Sequence, residues 1–264
     1  PPKGKWVEPS ALQIDNVQYI NANRIMMFVT NTGSFARDLA GVFGYDFGTW
    51  FPYTSVEAIA GNINNAGYES PNYASGLWIG ARDSVTSTIR IVAAEYSSEY
   101  VPGPMKDSTF QQDQGVYKVY HLYRDSMANN PNQDWLNFPF DQGAPYLKDS
   151  LGNPILDGSG NMIPELIGDQ MMWSVFNDAD ADAHTNQVGE TDPLGVEVRQ
   201  TIFAFDREGS LGNIVFMRMR VYNRGPRVLE NCYFSLWDDP DLGNAGDDLV
   251  GCDTILALGY VYNS

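Results

Sequence analysis

Apolar residues recur at every second position along much of this chain, and no long stretch repeats with helical period. In Asn213–Asn223, Met217, Met219 and Val221 fall on one side while Arg218 and Arg220 fall on the other. That alternation predicts a half-buried β-strand. In Val228–Trp237, Cys232, Phe234 and Leu236 share a face in the same way. Comparable strand signals occupy Arg24–Asn31, Tyr73–Gly80, Thr88–Tyr96, Val116–Tyr123, Gln200–Asp206 and Thr254–Tyr262. Strands separated by Gly, Pro, Asn and Asp predict an all-β fold, an antiparallel β-sandwich of jelly-roll type with long irregular loops. The one helical signal is short, around Ser55–Ala66.

Two segments break the pattern. Ala128–Lys148 and Asp149–Gln170 are polar and interrupted by Gly and Pro, which predicts irregular loops too long for ordinary turns. No solenoid or propeller repeat shows. The expected organisation is an extended N-terminal arm over 1–30 and a β-sandwich domain over 31–264. Any subdivision of that domain would fall between residues 100 and 150.

The 264 residues suffice for one large β domain, and 43 % hydrophobic with 13 % aromatic content marks a globular chain. Charge sharpens the picture. Thirty-three acids against sixteen Lys and Arg give a net charge of −17. Without a basic face there is nothing to release counterions from nucleic acid, and anionic membrane is disfavoured likewise. No apolar run approaches the roughly 20 residues of a membrane helix. The start at Pro-Pro-Lys-Gly rather than Met is what removal of a signal peptide would leave, and it predicts export.

Eleven of the acids lie in two stretches, Asn177–Asp192 and Asp238–Asp253, which contain no Lys or Arg. Carboxylates packed so densely repel one another unless a cation intervenes, and hard oxygen donors suit calcium. Asp178, Asp180 and Asp182 alternate along the first stretch and could converge on one ion, with Asn177, Asn186 or Asp192 completing its shell. The spacing is not that of an EF-hand, because Ala183 and Gly189 stand where that loop needs Gly and a bidentate Glu. The second stretch offers Asp239, Asp241, Asn244, Asp247 and Asp248, with Gly243 and Gly246 for tight turns. The alternative for both is a solvated acidic surface that needs no metal.

Cys232 and Cys252 could close a disulfide in an oxidising compartment, or remain two buried thiols. Catalysis finds little support. His121 and His184 are the only histidines, and no G-x-S-x-G, H-E-x-x-H or C-x-x-C occurs. A glycan-active enzyme would need two carboxylates facing across a cleft, which any chain so acidic offers by chance. Carbohydrate binding is the stronger rival. Trp78 and Trp173 sit in apolar runs that suit a core, whereas Trp50 and Trp135 lie in loops where they could stack on sugars.

The arm supplies a third signal. Leu12, Ile14, Val17 and Tyr19 alternate in a segment rich in β-formers. Such a segment can add a strand to an open sheet edge of another copy, and head-to-tail exchange builds filaments. The alternative is pairing within its own fold. The expected function is a secreted, calcium-stabilised structural module that polymerises as a filament or surface layer. Its rivals are a carbohydrate-binding or adhesion module and a glycan-active enzyme.

Eight phrases, in order, carry a resemblance: Asn31–Leu39, Ala74–Ala81, Val92–Met105, Asp141–Pro145, Gly168–Asp178, Pro193–Asp206, Leu211–Gly225 and Leu236–Thr254. Together they resemble the N-terminal region of large uncharacterised secreted and cell-surface proteins of the Bacteroidota, Ignavibacteria and Marinimicrobia type. These are often type IX secretion substrates that continue beyond the phrase matching Gly259–Asn263. The resemblance implies an extracellular or cell-surface location and supplies neither a reaction nor catalytic residues.

Overall fold

The computed structural model describes residues 17–39, 47–55, 70–105, 116–124, 133–185, 190–244 and 246–264. Among the described residues, thirteen strands form two stacked antiparallel sheets and a separate hairpin. The first sheet contains β1 (Val17–Ile20), β2 (Met27–Thr30), β3 (Ser34–Ala36), β4 (Ala74–Asp83), β5 (Ile89–Ala93) and β11 (Leu229–Asp239). Its order is β1-β2-β3-β4-β11, with β5 continuing beside β4 where β3 ends. The second contains β6 (Val101–Pro102), β7 (Tyr120–Tyr123), β8 (Gln170–Asn177), β9 (Val196–Ala204) and β10 (Val215–Asn223), ordered β10-β9-β8-β6 with β7 on β8. Among the described residues, β12 (Asp248–Asp253) and β13 (Leu258–Asn263) pair only with each other.

This is the all-β sandwich that the alternation predicts. Its core lies between the sheets: Leu77, Ile79 and Val92 from the first meet Phe176, Val196 and Val198 from the second. Further along, Ile20, Val29 and Phe35 meet Met172 and Ile202. Met219 and Val221 of β10 pack on this core as expected of their face. β4 carries Gly76 for a reason: a Cβ there would lie 1.8 Å from the Ala94 carbonyl oxygen, so only glycine lets β5's exit cross so closely.

β8 is buried on both faces, so it shows no alternation. Met172 and Phe176 enter the inter-sheet core, while Met171, Trp173 and Val175 join Tyr120, Leu122 and Phe138 in a second cluster. The segment 133–147, which includes the short helix α1 (Gln133–Leu136), supplies Phe138, Trp135 and Phe140 to that cluster.

The stretch expected to be irregular is more ordered than its composition suggests. Asp149 Oδ1 accepts from the backbone N–H of Leu151 (2.9 Å) and Asn153 (2.8 Å), and Asp157 Oδ1 repeats this with Ser159 and Asn161 (2.8 Å each). The N–H of Ile155 donates to Leu147, that of Ile163 to Ile155, and that of Leu147 to Ile163. The motif Asp-x-x-Gly-Asn-x-Ile, repeated eight residues apart at Asp149–Ile155 and Asp157–Ile163, therefore closes a small three-sided ring of main-chain bonds.

β1 and β2 belong to the first sheet, so residues 17–30 are not an arm. Val17 pairs with Thr30 and Tyr19 with Phe28 inside the same chain, and the Tyr19 ring packs edge-on against Phe28 at 6.0 Å. This corrects the expectation that Val17 and Tyr19 are exchanged between copies: the turn at 21–26 folds the strand back on its neighbour. Leu12, Ile14 and the helical signal at 56–66 lie outside the described residues.

Candidate functional site

The two acidic stretches have opposite fates. Asp178 directly follows β8 and points inward with no exposed surface. Its carboxylate accepts from the backbone N–H groups of Leu194 (2.6 Å), Gly195 (2.9 Å) and Val196 (2.7 Å). His184 Nε2 lies 3.8 Å from the carboxylate and 3.0 Å from the Asp178 carbonyl oxygen. Burial pushes this carboxyl above the ordinary carboxylate range, against the pull of the three N–H donors and His184. The geometry makes Asp178 a clamp that fixes the entry of β9. Its oxygens are already committed, so the expected convergence with Asp180 and Asp182 does not occur.

The other acids of this stretch are spread out. Asn177 Oδ1 accepts from Ala179 N–H (3.0 Å), and its amide donates to the Gly103 carbonyl (2.9 Å). Asp180 caps a 3-10 turn by accepting from Asp182 N–H at 3.0 Å, and Asp182 is exposed. Asp192 reaches Arg90 at 3.2 Å. Arg90 also donates to the Pro193 carbonyl (3.0 Å) and lies 3.5 Å from buried Asp83, which Arg227 approaches at 2.8 Å. The Val85 N–H, set against burial and helped by Thr86, Arg227 and Arg90, holds the Asp83 carboxyl below its ordinary value. A cavity of about 320 Å³ opens beside these arginines, bordered by Asp192, Leu194 and Pro226. Asn186 lies outside the described residues.

The second stretch stays near the surface and clusters. Burial first, then the charges of Asp239 and Asp248, raise the Asp241 carboxyl above its ordinary value. Tyr96 donates its hydroxyl to Asp239, and Leu242 N–H donates to Asp248 Oδ2 at 3.0 Å. The Oδ1 atoms of Asp247 and Asp248 are shielded from solvent and accept no hydrogen bond. Asn244 Oδ1 accepts from Gly246 N–H at 3.1 Å. Oxygen donors in this number and chemistry suit a hard divalent cation. Among the described residues, no three acidic, His or Cys side chains already stand in ligand geometry.

The remaining candidates are corrected by burial and distance. Cys232 and Cys252 are separate thiols, both exposed, one on β11 and the other on the detached hairpin, so the expected disulfide is not made. Trp50 is 8 % exposed and packs with Met26, Phe28 and Phe47. Its loop is drawn in because Met26 and Trp50 exchange main-chain hydrogen bonds (3.0 and 2.8 Å). Trp135 packs against the cluster around Trp173. Trp50 is thus no free stacking platform, and Trp135 keeps part of its surface exposed. Sequence reasoning missed a partly exposed aromatic group: Tyr96 lies between Trp237 (4.8 Å) and Tyr73 (6.3 Å), with the Arg37 guanidinium 5.5 Å from the Tyr73 ring. These residues come from four distant segments, so no local motif announces them.

Large apolar side chains are also exposed near the C-terminal end. Tyr233, Phe234 and Leu236 of β11 and Leu249, Val250, Leu258, Tyr260 and Tyr262 of the hairpin are all exposed. Alternation predicts which face each occupies but not whether anything covers it. Comparison of the chain with protein families, with curated proteins and with solved structures finds no match. Among the described residues, no helix is long and apolar enough to cross a membrane.

Proposed function

We propose that this chain is an extracellular structural module that assembles with copies of itself, with calcium neutralising its second acidic stretch. The observation that carries the reading is the uncovered apolar surface of β11 and the hairpin. Monomeric soluble proteins seldom leave large apolar patches in water, and such patches mark interaction surfaces; Leu249, Leu258, Tyr260 and Tyr262 share one exposed face of the hairpin. The like charges around Asp241 and the unsatisfied oxygens of Asp247 and Asp248 support a cation there. Extracellular residence rests on the resemblance. Sedimentation of the full chain with calcium and with EGTA tests the reading: concentration-dependent multimers support it, and a monomer in both conditions rejects it.

A second reading has its own observation. The Tyr73–Tyr96–Trp237 group beside Asp239 combines partly exposed rings with a carboxylate, a pairing suited to a sugar's apolar face and hydroxyls. Under that reading, glycan-array binding is lost on Trp237→Ala and survives Trp135→Ala.

A further inference from the structure

The core of the sandwich changes character at one end. Leu77, Ile79 and Ala81 of β4 and Val92 of β5 lie between the sheets, and the same alternation then places Asp83 and Arg90 on that inner face. Asp83 is fully buried and Arg90 only 6 % exposed. Apolar packing therefore gives way to a buried charge cluster, which is a weak source of stability compared with apolar residues of the same volume. The cluster borders the cavity of about 320 Å³.

Four turns enclose that cavity: 103–105 after β6, 178–179 after β8, 192–195 before β9 and 224–227 between β10 and β11. One wall is fixed main chain. The N–H groups of Arg224 and Gly225 both donate to the Gly195 carbonyl (2.9 and 2.8 Å), and the Gly195 N–H is held by Asp178. Gly195 has a φ of 82°, and a Cβ there would lie 2.8 Å from the Gly225 Cα, so glycine is what lets these two turns touch. Met105, Leu194 and Pro226 add an apolar lining.

The polar lining is two guanidinium groups. Arg90 Nη1 donates to the Pro193 carbonyl (3.0 Å), and its Nη2 lies 3.2 Å from Asp192. Its Nε lies 3.5 Å from Asp83 without a hydrogen bond. Arg227 Nε is 2.8 Å from Asp83, while among the described residues its two terminal nitrogens meet no acceptor. Asp83 is itself fixed by the N–H groups of Val85 (2.9 Å) and Thr86 (3.3 Å), so it orients a guanidinium whose terminal edge is unused. Asp192 behaves differently. Its side chain is 78 % exposed, so its contact with Arg90 is screened by water and opens at little cost.

We propose that this cavity binds a small, partly apolar molecule by its carboxylate, which Arg227 and Arg90 hold once Asp192 swings aside. A planar guanidinium matches a carboxylate with paired N–H···O bonds, and Asp192 already sets one carboxylate against Arg90. At about 320 Å³ the cavity is at the lower end of the roughly 300–1,000 Å³ of small-molecule sites, so it takes one small molecule. The four charges of Asp83, Asp192, Arg90 and Arg227 cancel, and the ligand carboxylate replaces Asp192 in that balance. The chain's net charge of −17 opposes doubly charged anions such as phosphate. None of these residues belongs to the exposed surface of β11 or the hairpin, so binding here does not depend on self-assembly.

The test is an NMR titration of the full, nitrogen-15-labelled chain with N-acetylleucine, with glucuronate, with the uncharged N-acetylleucinamide and with inorganic phosphate. Saturable shifts of the Gly195 and Gly225 N–H signals and of Arg227 Nε–H are expected with at least one carboxylate and not with the amide. Which carboxylate binds separates an amino-acid source from a sugar-acid source. Asp192→Ala, at an exposed side chain, should tighten binding about threefold by removing the competing carboxylate. Arg227→Lys keeps a charge beside Asp83 and should weaken binding about tenfold, because the paired donors are lost. Should that variant misfold, Asp192→Ala still decides. Shifts that never saturate, or that the amide reproduces, overturn the proposal. Phosphate binding in preference to both carboxylates overturns it too, as does an Asp192→Ala chain that binds no tighter.

Discussion

Asp178 and Asp241 are the same residue in stretches that read alike, and the fold uses them in opposite ways. Asp178 is sealed from water and held by three main-chain donors from residues 194–196. Asp241 is partly exposed, and burial first, then the charges of Asp239 and Asp248, raise its carboxyl. The first acid holds two strands together, whereas the second lies among like charges near the surface. Acidic density alone therefore does not define a metal site. What decides is whether main-chain N–H groups reach the carboxylate before a cation can.

Substitution should separate the two sharply. Asp178→Ala leaves three buried N–H groups without an acceptor, and a loss of about 3–5 kcal/mol is expected in denaturant unfolding. Asp241→Asn in EGTA should shift stability by less than about 0.5 kcal/mol, and upward, because it relieves like charge. Equal effects at both positions would erase the distinction.

The two tryptophan expectations yield a second contrast. Trp50→Ala should cost about 3–5 kcal/mol by emptying the cluster around Phe28 and Phe47, measured by thermal melting. A Trp50 variant with an unchanged melting curve would return that side chain to the surface.

His121 adds a pH-dependent effect. Burial, against Gln170 and Asp134, pulls its pKa down to about 4. The folded state binds this proton less readily than the unfolded chain, so stability is full above about pH 6.5 and falls toward pH 4. The loss amounts to about 3 kcal/mol at most. His121→Gln should flatten that limb of the stability curve, and an unchanged limb would show that the ring is hydrated.

Calcium should act only on the exposed stretch. At a hundred times its dissociation constant an ion adds about 2.7 kcal/mol to a folded state that alone binds it. Melting with calcium and with EGTA should differ for the unaltered chain and for Asp182→Asn, and should converge for Asp241→Asn. Calcium dependence that instead disappears with Asp182→Asn would move the site to the first stretch.

Particular elements show what was legible. β10 declares itself because Met217, Met219 and Val221 meet the core while Arg218 and Arg220 do not. β8 hides because clusters cover both its faces, which removes the period-2 signal. β12 was absorbed into an acidic loop, since Asp248 and Asp253 bracket only four residues. In the site, the alternating Asp178, Asp180 and Asp182 suggested a shared ligand, but the donors that claim Asp178 lie sixteen to eighteen residues away and are backbone atoms. Sequence patterns report side chains, not where main-chain N–H groups arrive. Trp50 was misplaced for the same reason, since the bonds that draw it inward are main-chain bonds to Met26.

Self-association through the C-terminal apolar surface is most directly tested by measuring the mass of the full-length chain in solution over a wide range of concentration. Mass that climbs with concentration in the unaltered chain, and collapses to one copy when Phe234 or Leu258 becomes Glu, is the expected result. A single monomeric mass at every concentration, with Phe234 and Tyr260 solvated throughout, would contradict it.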